Sequence, residues 1–126
     1  MTGPIGRRRR VIAEGYIPGY SHGEGPETTS HEALCILNAS GRQAHVEVTI
    51  FYEDRDAVGP YRLVVPARRT RHFRFNDLAD PEPIPRATPY SSVIESDTPI
   101  VVQHTRLDSR QDTNALLTTI AFAAEE

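Results

Sequence analysis

At 126 residues, 38% hydrophobic and 25% charged, the chain fits one globular domain and excludes both two independent cores and wholesale disorder. A formal net charge of −3 excludes a surface built throughout for nucleic acid. All 14 basic residues are Arg, whose planar guanidinium makes bidentate contacts that Lys cannot, and the single cysteine, Cys35, excludes an intrachain disulfide.

In chain order, residues 1–10 with the run Arg7–Arg10 are expected as a flexible basic segment, and residues 11–124 as one domain. Glu14 follows the basic run too closely for a signal peptide. No stretch approaches the roughly 20 apolar residues of a membrane helix, so a soluble, cytoplasmic protein is expected. Ten Pro and eight Gly cut the rest into short runs rich in Val, Ile, Thr, Phe and Tyr, the pattern of strands bounded by turns. Strands are expected near 10–16, 31–38, 44–53, 61–65, 69–75, 92–96, 99–107 and 115–123. In the third, Val46, Val48 and Ile50 alternate with His45, Glu47 and Thr49, and it pairs with the second across Asn38-Ala39-Ser40-Gly41. Phe73 and Phe75 face one way, His72 and Arg74 the other.

Pro99 to Gln103 is apolar on both faces and reads as a central strand. Residues 115–123 alternate as a strand, although Ala and Leu also suit a helix. Two long loops, 17–30 and 76–91, offer binding positions. The fold class expected is all-β: a two-sheet antiparallel β-sandwich of about eight short strands, jelly-roll-like, with little or no helix.

Chemistry is sparse. His22, His31, His45, His72 and His104 form no close ligand pair, so neither a metal nor any other cofactor is expected. No Gly-x-Ser-x-Gly signature is present, and Glu14, Glu32, Glu47 and Glu95 are expected on solvated faces, so the chain is not expected to be an enzyme. Cys35, within an apolar run, is expected as a buried structural thiol. Arg68, Arg69, Arg71 and Arg74 form either a solvated turn or an anion patch. His104 and Arg106, two apart on one strand, share a face, as do His72 and Arg74 on another. Together with Asn76, and with Glu14 and His31 as next candidates, these residues would form a polar ligand site walled by Tyr16, Tyr20 and Tyr90. Alternatively they build a buried hydrogen-bond network that fixes the sheet ends.

Longer runs carry a family resemblance. They are Ile12 to Pro18, His31-Glu32 with Cys35 to Asn38, Val58 to Leu63, Val65 to Thr70, Arg74 to Leu78, Pro99 to Gln111 and Asn114 to Leu117. Over nearly its whole length the chain resembles the sensory rhodopsin transducer family. One departure is Arg10, where the family tends to carry Trp. The resemblance implies a cytoplasmic β-sandwich that assembles as a homotetramer and relays a signal from a membrane photoreceptor. It also implies two alternatives: a sensor domain for a sugar or other polar metabolite, and a regulator making weak contact with DNA.

Overall fold

The computed structural model describes residues 3–21, 25, 29–111 and 113–124; His22 and much of the expected 17–30 loop lie outside them. Eight strands and one short 3₁₀ turn account for nearly all the regular structure of the described residues. The strands are β1 (Arg7–Gly15), β2 (His31–Asn38), β3 (Ala44–Phe51), β4 (Val58–Val65), β5 (Arg69–Arg74), β6 (Tyr90–Asp108), β7 (Ala115–Ile120) and β8 (Phe122–Ala123). The 3₁₀ turn spans Phe75–Asp77. All pairings are antiparallel.

The strand order is β4-β3-β6-β1-β8 in one ladder and β5-β2-β6-β7 in the other, with β6 common to both. The expected strands at 92–96 and 99–107 are therefore a single 19-residue strand. Its first half pairs with β1 and β3, and its second half with β2 and β7. Ser96 lies opposite Val46 and Val101 opposite Leu37, on either side of the 39–43 turn. So β6 runs toward that turn alongside β3 and away from it alongside β2. The expected β2–β3 hairpin is thereby corrected: the two strands do not pair with each other but lie in different sheets, each against β6. Pro99, which has no N–H to contribute to a ladder, sits where the strand passes between sheets.

The expected final strand is likewise corrected. It is interrupted at Ala121, which is buried, so that β7 edges one sheet and β8 the other. Strand, not helix, is the state of this segment. At the other terminus β1 begins at Arg7 and takes in the run set ahead of the domain. Arg10 is buried and donates to the carbonyls of Ile100 (2.8 Å) and Ala121 (3.3 Å), joining β1 to the β6 corner and the β7–β8 break. Period-2 patterning alone cannot foresee this, because the carbonyls an Arg reaches come from strands about 90 and 111 residues away.

The two sheets enclose one core. Ile12, Val46, Val48, Ile50 and Ile94 from the first meet Leu34, Ile36 and Val102 from the second. Each such side chain contributes roughly 1.5–3 kcal/mol when fully buried. Val46, Val48 and Ile50 face inward as the alternation requires. Cys35 does not: it is half-buried on the outer face of its sheet, 3.6 Å from Thr70 Oγ1, because even-numbered β2 residues take the core. No helix of the described residues is long and apolar enough to cross a membrane.

Candidate functional site

The polar centre of the molecule is Glu32, and the alternation of β2 puts it there. Glu32, Leu34, Ile36 and Asn38 form the buried half of β2, so the carboxylate shares its face with core residues. A buried charge is tolerated only when hydrogen-bonded throughout. Glu32 meets that condition. Its Oε1 accepts from the Tyr90 hydroxyl (3.0 Å) and stands 2.8 Å from His104 Nε2. Its Oε2 accepts from the Tyr16 backbone N–H (2.6 Å) and from Arg106 Nε (2.8 Å). An ionised carboxylate offers about four lone-pair sites, and all are used. Because that oxygen can only accept, His104 carries its hydrogen on Nε2.

Burial pushes the Glu32 carboxyl pKa up, but it is outweighed. The hydrogen bonds from His104 and the Tyr16 N–H, with the charges of Arg106 and His104, hold it below its ordinary value. Burial and the adjacent carboxylate push the Tyr90 hydroxyl strongly upward, so it remains a donor. The Phe75 ring closes the cluster from the core, edge-on to His104 at 6.3 Å and tilted to Tyr90 at 5.4 Å. Gly15 is required here, since a Cβ at that position would enter the Tyr90 ring.

Asn76 holds the network from behind. Its side chain accepts from the Glu32 backbone N–H (3.3 Å) and donates to the Ser30 carbonyl (3.1 Å). Ser30 in turn bonds Ser109 at the far end of β6. Toward solvent, Glu14 is 78% exposed and its Oε1 lies 3.8 Å from an Arg106 guanidinium nitrogen. These two residues and His104 line a cleft of about 320 Å³ between β1 and the β7–β8 segment. Val11, Leu117, Thr119 and Phe122 supply its walls.

Four of the seven expected site residues, Glu14, Asn76, His104 and Arg106, thus gather around Glu32. Three do not. Leu34 lies opposite both Phe73 and His104, so those two share its buried face, and His72 and Arg74 project from the other side of the sheet. Two separate strands each showing a polar pair at spacing two carry no information on relative phase; the register supplies it. His31 faces away from Glu32 and bonds the Thr29 carbonyl at 2.7 Å. The expected aromatic wall also disperses: Tyr90 is buried, Tyr16 lies under the Arg110 guanidinium, and Tyr20 is exposed. Glu32, expected on a solvated face, is the residue that organises the site. Its signal was its parity with Leu34 and Ile36.

A larger depression of about 480 Å³ lies on the outer face of the first sheet. Its charged groups are all engaged, Arg62 with Glu47, His45 with Asp97 and Glu95 with Arg9.

The description "Anabaena sensory rhodopsin transducer" matches residues 5–123. The chain belongs to the Anabaena sensory rhodopsin transducer family. A solved structure with the same name is 60% identical, with a TM-score of 0.72, over 81% of this chain and 99% of its own. The crystal structure of Thermotoga maritima 1070 is 33% identical, with a TM-score of 0.85, over 96% of this chain and 97% of its own. No curated protein matches the chain. The resemblance read from the sequence is therefore the family to which the chain belongs, and the transducer fold holds the Glu32 network at its loop end.

Proposed function

We propose that this transducer-family chain is a soluble, cytoplasmic, non-enzymatic signalling module that relays the state of a membrane photoreceptor by binding, as a homo-oligomer. The family match over residues 5–123 carries the reading. Two features of the chain support it. The Glu32 carboxylate has no acceptor site left with which to activate a nucleophile, so the buried network suits a rigid scaffold better than a general base. Every residue of β7 is exposed, and Leu116, Leu117, Ile120 and Phe122 are 53–71% exposed, apolar surface that a second copy would cover. The test is titration of the chain with its detergent-solubilised photoreceptor in the dark and under illumination. A light-dependent change in affinity is expected; equal absence of binding in both states refutes the reading.

A second reading, a sensor for a polar metabolite such as a sugar, is favoured by the cleft beside Arg106. Its walls combine apolar Val11, Leu117 and Phe122 with the charged Glu14 and Arg106. Glu14→Gln and Thr119→Ala lie on its rim and leave the Glu32 bonds intact. Each should weaken a sugar found by screening several-fold, about 1–3 kcal/mol per lost polar contact.

A further inference from the structure

The two ends of the sandwich differ in charge far more than the net value of −3 implies. One end is made of the 39–43 turn, the 66–68 turn and the β6 corner. The opposite end is made of the segments at 52–57 and 75–89, which carry Glu53, Asp54, Asp56, Asp77, Asp80 and Glu82 against Arg55 and Arg86. The turn end carries Arg42, Arg68, Arg69 and Arg71, all exposed; residues 37–45 and 64–72 contain no acidic residue, and the Asp97 of the β6 corner is bonded to His45. Among the described residues, none of these four guanidinium groups is ion-paired to a carboxylate within 4.0 Å.

The two turns that carry Arg42 and Arg68, the second leading directly into Arg69 and Arg71 of β5, are built as one unit. Asn38, fully buried, donates to the carbonyls of Arg42 (2.6 Å) and Val65 (3.1 Å) and accepts from the Ser40 N–H (3.1 Å). The Arg68 N–H donates to the Ser40 carbonyl at 3.0 Å, and Arg68 itself takes the left-handed conformation (φ 56°) that turns the chain. The basic groups are thus carried on fixed backbone, and little backbone ordering opposes their binding.

We propose that this end of the molecule is an attachment surface for anionic lipid headgroups. Three observations select a lipid surface among polyanions. Arg42 and Arg68 stand on the two turns, and Arg69 and Arg71 at the start of the edge strand β5, so all four are presented at one end of the sandwich, where a flat surface meets them together. The turns hold no aromatic side chain on which a nucleobase would stack. Exposed aliphatic side chains flank this end, Leu37 (41%) on the outer face of the second sheet and Val64 (37%) on that of the first, and suit the headgroup boundary rather than a phosphodiester backbone. The inference extends the transducer reading, since it would concentrate the chain beside a membrane receptor, but its physical basis is the charge and the side chains of this end, not that reading.

The test is cosedimentation of the full chain with receptor-free vesicles at low salt. Phosphatidylcholine vesicles containing phosphatidylglycerol should bind it, pure phosphatidylcholine should not, and added salt should release it. An Arg near an anionic membrane contributes about 1 kcal/mol, roughly fivefold, so R68Q/R69Q and R42Q/R71Q should each weaken binding about 25-fold. R55Q, at the opposite end, should bind as the parent does. Binding to pure phosphatidylcholine as strong as to the anionic vesicles, retention by either double variant, an equal loss in R55Q, or tighter binding to duplex DNA than to the vesicles would each overturn the proposal. A chain that binds vesicles but not the photoreceptor upholds this inference and refutes the transducer reading.

Discussion

β2 and β7 flank the same stretch of β6, and they could hardly differ more. β2 alternates strictly, burying Glu32, Leu34, Ile36 and Asn38, while β7 buries nothing. Both form an antiparallel ladder with β6 residues from Gln103 to Leu107, one on each edge of that strand. Backbone pairing is therefore common to the two, and what separates them is a second layer: β2 lies over the first sheet, and β7 overhangs an edge. A strand in a sandwich is stabilised by what covers its face, so residues of β2 belong to the fold and those of β7 are available for partners.

The sharpest way to break this contrast is Glu32→Ala. It strands His104, Arg106 and Tyr90 without their common acceptor, and chemical denaturation should show a loss of about 3–5 kcal/mol. A loss under about 1 kcal/mol would mean the network is not structural. Asn38→Ala, which removes the donors that join two turns, should cost about 1–3 kcal/mol by the same measurement.

The pH dependence sharpens it further. The Glu32 carboxyl pKa is depressed in the folded state, so its stabilisation is present above the unfolded carboxylate range and lost as pH falls through the folded value. Stability should therefore decline below about pH 4.3, with a shallower slope in Glu32→Gln, which has no proton to take up. Equal slopes for the two proteins would remove Glu32 from the titration.

On the β7 side the expected stability effects are small and the assembly effects large. Leu116→Ser with Ile120→Ser should change monomer stability by no more than about 0.5 kcal/mol per site. Light scattering should nevertheless show the proposed homo-oligomer falling to the 14.1 kDa chain. An unchanged mass would place the interface elsewhere. The smallest effect is expected for His72→Ala, on the outer face opposite Cys35, within about 0.5 kcal/mol.

Much of this was legible in the residues. Alternation in β3 and the absence of helical periodicity establish an all-β sandwich and the inward residues Val46, Val48 and Ile50, because side-chain direction in a strand follows parity alone. The apolar run of β2, by contrast, reads with Cys35 inside and with β3 as its partner, and the structure has neither. The same parity marks Glu32 as a core position, and His104 with Arg106 as sharing a face. Parity does not relate one strand to another. That β5 turns His72 and Arg74 away from His104, that Arg10 reaches carbonyls on β6 and beside β8, and that two predicted strands are one bent strand serving both sheets were settled by register and layering. Those depend on how the whole chain closes over its core, and only the tertiary structure decides them.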